Sequence, residues 1–82
     1  MALEGEQELA KSIIAGTTYI SDSGLNVASG SEGFQAMMEM SSTAGTLSDK
    51  EAKAALKTGL AALQRKTTNS GLKTFLGGML KG

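Results

Sequence analysis

The chain contains no cysteine and no histidine. At 82 residues, this is the feature that most restricts how it can hold itself together. Chains of this size bury a modest share of their surface and commonly lean on a disulfide, a metal or a partner. Disulfides and the usual transition-metal ligands are both excluded by residue type. Two supports remain: close packing of regular secondary structure, and association with other copies or partners. Proline and tryptophan are also absent, and β-branched residues form no alternating runs. Ala, Leu, Lys, Glu, Met and Gln fill the periodic stretches, and these are good helix formers.

The periodicity predicts an all-α fold, a small helical bundle or set of helical hairpins. Three to four helices are expected, at about 4–20, 32–43, 49–66 and 72–80, within a single domain over 1–82. In the first segment Leu9, Ile13 and Ile20 share a stripe, and Ser21-Asp22-Ser23-Gly24 reads as a stop. Ser29 and Glu32 have capping-box spacing ahead of the second segment, which places Phe34, Met37, Met38 and Ala44 on one side. Ser48 and Glu51 repeat that spacing before the third. There Ala52, Ala55, Leu56, Gly59, Leu60, Ala62 and Leu63 make one apolar stripe, narrow enough for another helix to approach closely. Gly59 inside it costs about 1 kcal/mol relative to Ala, which such packing would offset. The last segment gathers Leu72, Phe75, Leu76, Met79 and Leu80, with Ser70 as its expected cap.

The residue inventory excludes most chemistry. Without His or Cys there is neither a Ser-His-Asp triad nor a Cys nucleophile with a His base. Ser70-Gly71-Leu72-Lys73 has the S-x-x-K spacing of serine acyl-enzymes but lacks the partner motifs that chemistry needs. No phosphate-binding glycine motif occurs. The window Ser21 to Glu32 has the length of a calcium loop, yet it opens on Ser and carries Asn26 where the turn glycine belongs. The expectation is a non-enzyme with no catalytic residue, no metal and no cofactor. Nucleic acid is not an expected partner either, because the basic half holds a single Arg and no aromatic between Lys50 and Lys66.

The zero net charge conceals a division. Residues 1–49 hold Glu4, Glu6, Glu8, Asp22, Glu32, Glu39 and Asp49 against Lys11 alone. Residues 50–82 hold Lys50, Lys53, Lys57, Arg65, Lys66, Lys73 and Lys81 against Glu51 alone. Blocks of this kind are an interaction signal. Either the halves face each other within one chain, or the acidic end of one copy meets the basic end of the next. The second contact is heterologous and propagates. Glu4, Glu6 and Glu8 against Lys53, Lys57, Arg65 and Lys66 are the candidate complementary ends. Phe34, Met37, Met38, Ala55, Gly59, Ala62, Phe75 and Met79 are the candidate apolar contacts.

In size, acidic opening, lack of Cys, Trp and Pro, and richness in Ala, Gly, Ser and Thr, the chain resembles small helical subunits of secretion needles, pili or virions. It lacks the proline-containing turn of many needle subunits. That resemblance implies a self-associating structural subunit whose partner is protein, another copy first. Met40 to Leu56, helix then Ala-Gly-Thr-Leu-Ser-Asp-Lys-Glu then helix, resembles the hairpin of EF-hand-like or tellurite-resistance-type helical modules. It implies the alternative of a soluble helical adaptor. A second alternative is membrane contact through the basic amphipathic segment from Gly71 to Lys81. No apolar run nears the roughly 20 residues that span a bilayer, and the acidic start does not read as a secretory signal. The expected setting is therefore the cytoplasm, or a leaderless exported or virion assembly.

Overall fold

Helical periodicity is realised as four helices: α1 Glu4–Ser23, α2 Glu32–Gly45, α3 Lys50–Lys66 and α4 Ser70–Lys81. The computed structural model describes residues 4–81, without the Glu4 side chain, and no strand occurs among the described residues. The chain is a small helical bundle, as the pattern predicts. Helix α1 runs three residues past its expected end and stops where Gly24 takes a φ of +69°, a left-handed conformation that favours glycine.

The helix starts differ from the capping pattern in a consistent way. Ser31, not Ser29, caps α2: its hydroxyl accepts from the Phe34 amide at 3.1 Å. Helix α3 is capped by Asp49, not Ser48, with Ala52 N–H donating to its carboxylate at 3.0 Å. Asn69, not Ser70, caps α4 by accepting from the Leu72 amide at 3.1 Å. In each case the cap accepts from the amide three residues on. Ser29 lies exposed in the connection, displaced by the turn in which the Ser31 amide donates to the Ala28 carbonyl at 3.0 Å.

The core is built mainly where α1 crosses α3, with α2 added against α1 and α4 against α3. Ala10, Ile13 and Ile20 from α1 meet Ala52, Leu56, Leu60 and Leu63 from α3, with Met37, Leu72 and Leu76 completing it. Two stripes shift from expectation. Leu9 is 41% exposed, and its place is taken by Thr17, fully buried. Thr17 can be buried because its hydroxyl donates to the Ile13 carbonyl at 2.7 Å, which removes the cost of an unpaired polar atom. Met38 is 50% exposed, while Met40 packs against the core in its stead. Leu47, which the pattern left in a connection, is buried.

Gly59 does what its position in the α3 stripe predicts. A Cβ built there would lie 2.5 Å from Ile14 Cδ1 and 3.0 Å from Ile14 Cγ1. Ile14 therefore occupies the space that any other residue at position 59 would fill, drawing α1 onto α3. Ala55 and Ala62, by contrast, are exposed, so the α3 stripe is narrower than its composition suggests.

Gly59→Ala is expected to lose stability by about 1 kcal/mol net, because overpacking outweighs the gain in helix propensity. In an Ile14→Ala background the same change should become favourable. Gly78→Ala, where a Cβ meets nothing, should gain up to about 1 kcal/mol. Urea denaturation of the four variants checks this.

Candidate interaction surfaces

A three-bond polar contact joins α1 to the start of α3. One Glu6 carboxylate oxygen accepts from the amides of Ser48 at 2.6 Å and Asp49 at 2.8 Å. The other accepts from the Ser48 hydroxyl at 2.8 Å. Glu6 thus does from 42 residues away what Glu51 was expected to do locally. It closes amides that the helix cannot satisfy itself and places a negative charge at the positive end of α3. The Asp49 amide first, then the Ser48 hydroxyl, hold its carboxyl below the usual glutamate range, with Lys53 adding a smaller attraction. Ser48 and Asp49 both belong to the acidic half, so this contact ties α1 to the start of α3 without pairing the two charge blocks.

A lowered folded-state pKa means that the unfolded chain binds this proton more readily. The resulting stability is complete above the ordinary glutamate value of about 4.3 and is lost as pH falls through the folded value. Glu6→Gln should lower Tm near neutral pH. The gap to wild type should hold from about pH 6 to about pH 5 and shrink as pH falls further to about 3, measured by circular dichroism.

The opposite end of the bundle is tied by uncharged groups. Ser21 Oγ donates to Thr67 Oγ1 at 2.9 Å, and Asn69 Nδ2 donates to the Leu25 carbonyl at 3.3 Å. Thr67 is buried there and also accepts from the Asn69 amide at 3.2 Å.

The remaining charges are left outward. Among the described residues the one ion pair is Lys11–Glu8 at 3.9 Å, one turn apart on α1 and within the acidic half. Lys53, Lys57, Arg65 and Lys66 are all exposed, and none forms an ion pair with a described residue. Among the described residues no group of three His, Cys, Asp or Glu side chains converges as a metal ligand set would.

The candidate apolar contacts divide by depth. Met37 is core, so it is not available at the surface. Phe34, Gly59, Phe75 and Met79 are half-buried, and Phe75 and Met79 pack on the core. Met38, Ala55 and Ala62 are exposed.

Two apolar grooves lie on opposite flanks of α2. One, of about 370 Å³, has Leu56 and Leu60 of α3 as its floor, with Ala44 of α2 and Met79 of α4 on its walls. Lys53 and Lys57 stand at its rim. The other, of about 330 Å³, runs between α1 and α2 and is lined by Leu9, Gly16, Met40 and Glu39. Sequence periodicity could not place either groove, since each depends on which helices stop short of one another. Among the described residues no helix is long and apolar enough to cross a membrane. The chain matches no protein-family model, no curated protein and no solved structure.

Proposed function

We propose that this chain is a non-enzymatic helical subunit that works by associating with further copies of itself. The observation that carries the reading is the division of charge left outward in the folded chain. The described residues form no ion pair between the acidic and basic blocks, which supports a role for these charges between copies. A chain whose halves neutralised each other would use its Lys and Glu side chains on one another. This one engages Glu6 with backbone amides and leaves its exposed lysines facing solvent. The sequence adds that neither His nor Cys is present for the common modes of nucleophilic or acid–base catalysis.

The membrane alternative draws less support, because the apolar face of α4 is turned inward. Leu72 and Leu76 are fully buried. That leaves the part-exposed Phe75, Met79 and Leu80 for a lipid surface.

The test is particle size by light scattering or sedimentation across protein concentration and salt. Size should rise with concentration at low salt and fall as salt screens exposed charges over a Debye length of about 10 Å at 0.1 M. A chain that stays monomeric at high concentration and low salt contradicts the reading.

A further inference from the structure

We infer that the lysine-rimmed groove over α3 binds a single-chain anionic amphiphile, a fatty carboxylate whose head pairs with Lys53 and Lys57 and whose tail lies on Leu56 and Leu60. This goes beyond self-association and does not depend on it.

The groove opens where α2, packed mainly on α1, and α4, packed on α3, leave part of α3 between them. Lys53, Leu56, Lys57 and Leu60 recur at helical spacing and share one face of α3. The leucines are buried and form the floor, while the lysines are exposed at the rim. Half-buried Ala44 and Met79 make apolar walls, and Ser41 adds a hydroxyl donor to the lining. The result is an open channel of about 370 Å³, with an apolar floor and a cationic rim. That volume falls within the roughly 300–1,000 Å³ usual for small-molecule sites.

Charge and size together select the occupant. Lys53 and Lys57 are like charges one turn apart, an arrangement that destabilises a helix until an anion lies between them. Neither forms an ion pair with a described residue. Glu6 attracts Lys53 weakly, but its oxygens are engaged by Ser48 and Asp49. A bare anion would leave the leucine floor wet, and an uncharged chain would leave the ammonium pair unrelieved. From Lys53 to Leu60 the floor runs about 10 Å along the helix axis. An extended tail of about eight carbons spans this at single-bond lengths of about 1.5 Å. A peptide helix laid along the same length, about 10–12 Å across, would need about 800 Å³.

The test titrates octanoate, below its micelle-forming concentration and at neutral pH, into the full chain carrying ¹³C-labelled methyl groups. The protein is kept dilute, and diffusion is measured in the same samples. Methyls of Ala44, Leu56, Leu60 and Met79 should shift together and saturate, while those of Leu9 and Met40 in the other cleft stay in place. Lys53→Gln with Lys57→Gln, both at exposed positions, should bind octanoate about tenfold more weakly. 1-Octanol should bind wild type about tenfold more weakly than octanoate does, and acetate should leave the leucine methyls unmoved. The assignment is overturned if octanoate moves no groove methyl, or moves those of the α1–α2 cleft equally. It is also overturned if the lysine variant binds as wild type does, or if 1-octanol matches octanoate. With no response to octanoate, groove shifts produced by raising protein concentration alone would name a second copy as the occupant, and shifts produced by phospholipid vesicles would name a membrane. Wild type that binds octanoate yet never assembles keeps this inference and refutes self-association, so the two failures are separable.

Discussion

Where α1 crosses α3, the missing side chain at Gly59 lets Ile14 sit in the space a Cβ would claim. That close approach sets the architecture. It brings Ala10, Ile13 and Ile20 against Leu56, Leu60 and Leu63, which together form most of the buried core. Helices α2 and α4 are then secured to different members of the central pair. Two contacts fasten the ends of the crossing: Glu6 on the start of α3, and Ser21 on Thr67. For an 82-residue chain without disulfides, one close helix crossing with both ends tied is an economical way to fix a bundle.

The same arrangement explains why the surface is unfinished. With α2 on α1 and α4 on α3, the channel between them has an apolar floor that no helix of the described residues covers. Lys53 and Lys57 of α3 line this channel, and Glu39 of α2 lines the cleft between α1 and α2. The central pair is satisfied internally, and the outer helices leave grooves.

Much of the fold was legible from helical spacing. The number, order and approximate extent of the helices followed from apolar periodicity, and the close-packing role of Gly59 followed from a glycine inside an apolar stripe. The details that escaped were those decided by contacts far apart in sequence. Glu6 acts on amides at positions 48 and 49, a pairing no local spacing rule encodes. Thr17 reads as polar until its hydroxyl is seen bonded to its own helix, whereas Leu9 shares the stripe of Ile13 and Ile20 yet is 41% exposed. The caps were misplaced by one or two residues because Ser, Asp and Asn crowd each helix start, and only the turn geometry decides among them. The charge division was visible in the sequence, but whether it closes within one chain depended on side-chain placement.

Whether the acidic and basic blocks meet within one chain or between copies can be measured directly. Equal amounts of unlabelled and ¹⁵N-labelled wild-type protein are mixed, treated with a zero-length carbodiimide that joins lysine to carboxylate, and digested for mass spectrometry. Association through the charge blocks predicts crosslinks from lysines of residues 50–81 to carboxylates of residues 5–49 in which one peptide is labelled and the other is not, marking contact between copies. Crosslinks between these residues found only in uniformly labelled or uniformly unlabelled pairs would show the halves meeting within one chain, and would contradict it.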